Sequence, residues 1–388
     1  MDTAESDSSV PATSYATSTA SRPSSASSIH PSEMAKELPS GAPKCSLFEV
    51  RDTATAGRAV FASQDILEGT LVWHSEDLAL SVLLREYRRE VCGQCFRYNY
   101  GRDMDVRDRS AGFAFCSTGC QDNWRKETGE VGVQAWTAVE RLVKGRSKED
   151  SQMVDADLPR PKTQDISLAW ENVAAQAALI RITREGEQAG RAGDEDVIQA
   201  TKQHKKALQK ALQQHISPDI MSFCVSSIIW RHHHSEDWAN VLALAVDKTP
   251  YHSADDLRAF TRTYLHLLAI LPLPLLPLVT AETIFLLSSR DSHNSFGIRS
   301  LEDEGSEFFG YGCWPAASYF NHSCGPNIEK TRKGRVWQFR AVKNIEKGEE
   351  LCITYLSGEE RRLSRGQRML RLKKNWGFDC RCERCEAL

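Results

Sequence analysis

Asn321-His322-Ser323-Cys324-Gly325-Pro326-Asn327 decides the reading of this chain when taken with Cys380, Cys382 and Cys385 close to its end. The spacing Cys-x-Cys-x-x-Cys offers three neighbouring thiolates, one short of the four that a structural zinc takes. Cys324 is the candidate fourth, carried by the upstream stretch itself. A metal joining the two segments would clamp the last turn of the protein over whatever Asn321 and His322 line.

The other cysteines sort by the same logic. Of twelve in all, Cys92-x-x-Cys95 and Cys116-x-x-x-Cys120 form a second candidate set. No secretory signal is visible, so clustered pairs point to metal rather than to disulfides. Cys45, Cys224, Cys313 and Cys352 stand alone and read as ordinary buried thiols.

Length and composition narrow the class. At 388 residues the chain exceeds one average domain. A net charge of −3 gives no global pull toward nucleic acid. Residues 1–44 are crowded with Ser, Thr, Ala and Pro and nearly free of large apolar side chains, the composition of a disordered tail. The longest apolar run, Leu267 to Val279, has thirteen residues and contains three prolines. A spanning helix needs about 20 apolar residues, so this run reads as core or buried loop, the chain as soluble and intracellular, and no membrane partner is expected. His232-His233-His234 reads as a solvated or partly buried patch, since consecutive helical histidines point in different directions. The basic segment Arg361–Lys374 reads as a solvated helix with a narrow apolar stripe. Contact with nucleosomal DNA is its functional alternative.

Along the chain, Arg58–Ala62 and Thr70–Trp73 read as strands, residues 76–90 as helical, and 121–290 as mostly helical. Short β-like runs return at Trp337–Val342 and Leu351–Tyr355, with Lys347-Gly348-Glu349 as the turn between. Strand-rich segments thus flank zinc and helical material, one mixed domain interrupted by insertions.

The unbroken N-H-S-C-x-P-N and the terminal cysteines resemble the SET-domain lysine methyltransferases. Cys92, Cys95, Cys116 and Cys120, followed by Gln121 and Trp124, resemble half of a MYND zinc finger. Thr128 and Gly132 stand where its last His and Cys would fall, so one of the two finger zincs is expected and the other is not. Together these features resemble the SET-and-MYND (SMYD) family, in particular fungal members with a reduced finger. The resemblance implies a mixed α/β fold: a β-rich SET domain with a pseudo-knot, a helical insertion, a small MYND-like finger and a post-SET zinc clamp. The implied divisions are 1–44 tail, 45–90 N-terminal SET part, 91–125 finger, 126–290 helical insertion, 291–360 catalytic half and 361–388 post-SET segment. With the sequence ending three residues after Cys385, a substrate cleft more open than in animal relatives is expected.

Residue by residue, the resemblance implies that Gly57, Arg58 and Ala59 form the loop that meets S-adenosylmethionine, with alanine in place of the second glycine. Asn294, Ser318, Phe320, Asn321, His322 and Phe378 would complete the cofactor site. Phe296, Tyr319 and Trp376 would line the substrate lysine channel, and Tyr355, from E-L-x-x-x-Y, would act at the transfer point. Two zinc ions are implied, one on Cys92, Cys95, Cys116 and Cys120, one on Cys324, Cys380, Cys382 and Cys385. The implied activity is protein-lysine N-methylation of a core-histone tail, in the nucleus and/or the cytoplasm. A ribosomal protein or translation factor is the alternative substrate, and a zinc-finger adaptor with an inactive SET domain is the alternative role.

Overall fold

The computed structural model describes residues 41–53, 57–146, 158–192, 200–301, 305 and 307–387. The tail expected over 1–44 falls almost wholly outside them. In chain order come β1 (Phe48–Thr53), β2 (Gly57–Ala62), β3 (Leu71–Ser75), β4 (Leu80–Leu83), β5 (Val106–Asp108) and β6 (Phe113–Phe115). Helices α1 (Thr118–Arg146), α2 (Thr163–Ala192), α3 (Lys202–Leu212), α4 (Pro218–His233), α5 (Trp238–Leu242), α6 (Ala254–Ile270) and α7 (Ala281–Asn294) follow. The C-terminal part holds β7 (Ser295–Arg299), β8 (Phe308–Cys313), β9 (Ile328–Lys333), β10 (Val336–Ala341), α8 (Arg365–Trp376) and α9 (Glu383–Glu386). The strands form four small antiparallel sheets, β1–β2, β3–β10–β9, β4–β8–β7 and β5–β6. This is the mixed α/β architecture the sequence implies.

Two of these sheets join N-terminal to C-terminal strands, because neither half has enough partners of its own. In β1, Phe48 and Val50 turn inward while Glu49 and Arg51 face solvent, the alternation of a half-buried strand. The expectation of a helix over residues 76–90 fails. The structure has β4 there, followed by a single 3-10 turn at Arg85–Tyr87. The Leu- and Arg-rich composition favours a helix, but β8 supplies a ladder that outweighs propensity. Gly310 makes that ladder possible: at φ 154, a Cβ on it would stand 1.9 Å from the Val82 carbonyl oxygen.

The helical insertion packs beneath this sheet. Met221, Phe223, Cys224, Val225 and Ile228 of α4 are fully buried. Leu275 and Leu276 of the proline-bearing run Leu273–Leu278 lie in the same core. No helix among the described residues is long and apolar enough to cross a membrane. Arg85 ties the sheet to α1 through a bidentate pair with the buried Glu140, at 2.6 and 3.1 Å.

Residues 349–353 are the centre of the molecule. On one side Ala62 N–H donates to Glu349 O at 2.9 Å and Leu351 N–H to Val60 O at 2.8 Å. On the other, Ile353 N–H donates to Asn321 O at 2.9 Å and Ser323 N–H to Ile353 O at 2.8 Å. Asn327 locks the crossing with its amide: Nδ2 donates to Glu350 O and Oδ1 accepts from Cys352 N–H. A late segment thus runs between an early strand and the N-H-S-C stretch, the interlocked centre expected of a pseudo-knot. Leu351–Tyr355, expected as a strand, makes these isolated bridges rather than a continuous ladder.

Candidate active site and metal centres

Two four-cysteine sets are assembled as expected. The sulfurs of Cys92, Cys95, Cys116 and Cys120 all lie within 4.8 Å of one another, and so do those of Cys324, Cys380, Cys382 and Cys385. Individual Sγ–Sγ separations are 3.6 Å for Cys95–Cys116, 3.5 Å for Cys116–Cys120 and 3.5 Å for Cys324–Cys385. Four sulfurs at about 2.3 Å from a tetrahedral zinc stand about 3.8 Å apart, so both sets fit that ion. All twelve cysteines are unbridged. The first set is held by the β5–β6 hairpin and the start of α1, whose Trp124 packs on Phe113 and Phe115. At the second, Arg384 donates to Cys324 O at 3.0 Å, and the buried Arg368 reaches to 3.8 Å from the Cys385 sulfur. Cys45, Cys224, Cys313 and Cys352 join neither set.

The Asn321-His322 pair connects the metal set to the interlocked centre. Asn321 Nδ2 donates to Arg58 O and to Glu350 Oε1, each at 2.9 Å. His322 Nδ1 accepts the Tyr355 main-chain N–H at 3.0 Å, and Nε2 lies 3.4 Å from the Cys324 sulfur. Burial, reinforced by the positive Lys330 and Arg368, lowers the His322 pKa to about 4. The ring is therefore neutral at physiological pH, as its acceptor role at Nδ1 requires.

Tyr355 faces a cleft of about 350 Å³. Its walls include Phe296, Phe320, Trp337 and Trp376, with Ser318 and Lys330 among the polar groups. The Tyr355 hydroxyl donates to Phe320 O at 3.1 Å. Burial, with the nearby Cys352 and Glu350, raises its pKa further above the usual phenol range, so it stays neutral. Trp376 closes against it at 5.4 Å between ring centroids, and Phe378 lies 6.0 Å from His322 and 6.3 Å from Tyr355.

The other site residues named from the sequence fall in three places. Asn294 and Ser318 line the cleft, but the Asn294 amide donates to the Ala245 and Arg290 carbonyls, and the Ser318 hydroxyl donates to Asn294 O or Trp314 O. Tyr319, expected along the channel, is instead 2% exposed and lies beneath Arg58, whose guanidinium sits 4.3 Å above its ring and donates to its hydroxyl. Gly57, Arg58 and Ala59 lie on β2 beside Asn321. Gly57 has φ +71 and nothing within 4 Å of where a Cβ would stand, so that side of it is open, while its carbonyl accepts from the Thr53 hydroxyl at 2.9 Å. Ala59 is fully buried. The open space beside Gly57, with Asn321 and His322 close by, leaves room here for the cofactor that the resemblance implies.

Lys330 and Trp337 escaped the sequence reading. The signal was available in β9, where Ile328, Lys330 and Arg332 share the less exposed face at period two. The histidine patch stays outside the site: His233 Nε2 lies 2.8 Å from Thr128 O at the kink of α1.

Comparison with known proteins places this geometry. The SET domain matches residues 57–356, more than half of the chain. The chain belongs to the SET-domain methyltransferases. The SET-domain protein is 25% identical over 380 residues to the potential protein lysine methyltransferase SET6 of Saccharomyces cerevisiae, covering 88% of this chain and 95% of SET6. It is 30% identical over 135 residues to the histone-lysine N-methyltransferase ASHR2 of Arabidopsis thaliana, covering 32% of this chain and 33% of ASHR2. It is 37% identical over 94 residues to the human histone-lysine N-methyltransferase SMYD3, covering 24% of this chain and 21% of SMYD3.

Proposed function

We propose that the SET-domain protein transfers a methyl group from S-adenosylmethionine to a lysine of a core-histone tail. The observation that carries this reading is the cleft itself: aromatic walls around one neutral tyrosine hydroxyl. An alkyl stem ending in an amine suits such walls. ASHR2 and SMYD3 are named histone-lysine methyltransferases, which supports a histone as the substrate.

The cofactor supplies an electrophilic methyl on a positive sulfur. Gly57, Arg58, Asn321, His322 and Phe378 would hold it, Gly57 through the open space beside it. The chain's task is alignment and exclusion of water, and alignment of this kind can supply roughly 7–11 kcal/mol. With its proton committed to Phe320 O, the Tyr355 hydroxyl presents its lone pairs to the cleft and can orient an amine there. It is too weak an acid to serve as a base that cycles near neutrality. The lysine instead gives up its proton to water, assisted by desolvation and by like charge nearby.

We further infer membership of the SET-and-MYND branch with a reduced finger, in its fungal group. The position of the first cysteine set, from after β4 to the first turn of α1 and inside the matched SET span, supports this. So does the near full-length likeness to the yeast relative. The divisions at 45–90, 91–125, 126–290, 291–360 and 361–388 belong to the same reading, as do nuclear or cytoplasmic location and nucleosome contact through α8.

Incubation with labelled S-adenosylmethionine and either histone octamers or ribosomal extract tests the reading, with mass spectrometry to place the label. Label on a core-histone lysine supports it. Label confined to ribosomal extract would transfer the substrate to a ribosomal protein or translation factor. No transfer to any protein would favour the adaptor.

A further inference from the structure

The chain brings a lysine of its own into the cleft. Lys330 lines it from β9, with its ammonium 5.0 Å from the Phe296 ring and 5.8 Å from the Trp337 ring. These are the walls on which an incoming alkylammonium would stack. Among the described residues, no carboxylate pairs with Lys330, although Glu360 stands elsewhere on the cleft wall.

We propose that Lys330 is the specificity-determining residue of this cleft, a resident cation that admits an amine when one of the two ammonium groups has lost its proton. The proposal rests on the lysine-methyltransferase reading. Two unit charges on one aromatic wall repel strongly where water is scarce. Burial lowers the Lys330 pKa to about 8, within reach of physiological change. Its charge is also felt by His322.

The other titratable and charged groups around the cleft are engaged elsewhere. His293, at the end of α7, lies 3.5 Å from Asp247. Arg299 of β7 donates to Gly305 O and lies over Phe308 at 5.2 Å. Glu360 is paired with Arg371 at 3.0 Å. Tyr355 remains neutral. On the Lys330 strand, Arg332 donates to the Gly334 and Arg299 carbonyls, while Glu329 and Lys333 face solvent. Across the ladder stands the apolar Phe339.

The test uses the whole zinc-loaded chain and n-butylamine, a lysine side chain in miniature. Binding is followed through the ¹³Cε resonances of labelled lysine, with Lys330 assigned by comparison with Lys330→Met, and through calorimetry for the variants. A group with a pKa of about 8 is roughly one-tenth neutral at pH 7 and nine-tenths neutral at pH 9. Lys330→Met should therefore bind butylamine about tenfold more tightly than the natural chain at pH 7, and about equally at pH 9. Lys330→Arg, charged at both values, should bind weakly at both. Equal affinities of the natural chain and Lys330→Met at both pH values overturn the proposal, as does binding to neither. Methylation of Lys330 itself, found by mass spectrometry, also overturns it by making the residue a substrate. Butylamine binding needs no turnover, so a chain that binds as expected yet methylates no protein would overturn the enzyme reading alone.

Discussion

Tyr355 has its hydroxyl committed to Phe320 O and its main-chain N–H to His322. Tyr355→Phe keeps the ring and the main-chain bond and removes only the hydroxyl. Methyl transfer should fall by on the order of a hundredfold, the scale of losing one positioned polar group at a reacting centre. Cofactor affinity should hold, since the hydroxyl bonds to Phe320 O, while Asn321 is held by Arg58 O and Glu350. A labelled-methyl assay and calorimetry check the two halves, and full activity in the variant would remove Tyr355 from the mechanism. Within α7, Asp291 gives a prediction about stability. Burial raises its pKa to about 6 against the contrary hydrogen bond from Ser295 and with help from Asp256. An acid whose pKa is raised in the folded state holds its proton more firmly there. Stability is then greatest below the ordinary aspartate pKa of about 3.9 and falls as pH rises through about 6. Asp291→Asn should be stabilising by about 3 kcal/mol at pH 8 and nearly neutral near pH 3. Denaturant unfolding at the two pH values reads this directly, and a pH-independent difference would count against it.

At the scale of elements, α8 and the terminal cysteines act as a lid frame. Ser364 and Gln367 form a reciprocal capping box at the start of α8, and Gly377 ends it at φ 76, where glycine is favoured. The chain then turns back to place Cys380, Cys382 and Cys385 against Cys324, with Trp376 and Phe378 carried over Tyr355. Elemental analysis should find two zinc ions per chain. Cys324→Ser should leave one and should raise hydrogen exchange over residues 376–387, because structural zinc contributes about 10–16 kcal/mol in small sites. Unchanged exchange with one zinc would mean that the metal does not hold the lid. Sequence made these centres legible because thiolate spacing is local chemistry that the fold need only bring together. It also announced β2, β3 and β10 through β-rich runs. It misread residues 76–90, where the helix-forming composition yields to a ladder with β8 more than two hundred residues away. Tyr319 shows the same limit: its type suits a channel wall, but Arg58 covers it. Lys330 was missed because a lysine in a strand after a functional motif reads as solvent-facing until Phe296 and Trp337 appear beside it.

At the scale of the whole molecule, pairings across the helical insertion hold the two ends of the SET domain together. β3 pairs with β10, β4 with β8, Ile66 with Ile345, and β2 with the segment from Glu349 to Leu351. Residues 1–150 and 158–388, co-expressed as two chains, should therefore copurify as a stoichiometric complex. Separate elution in gel filtration would show that covalent continuity through 151–157 is required.

The same pairings set a timetable for synthesis. Ala62 donates its main-chain hydrogen bond to Glu349, a partner about 290 residues later. At roughly 5–20 residues per second, β2 waits about 15 to 60 s after it is made before that partner exists. During this interval Val60 and Ala62, fully buried in the finished protein, have only β1 for company. A nascent chain of this architecture spends most of its birth with its central strand open-sided, and its yield in the cell should follow the supply of factors that shield such edges on the ribosome.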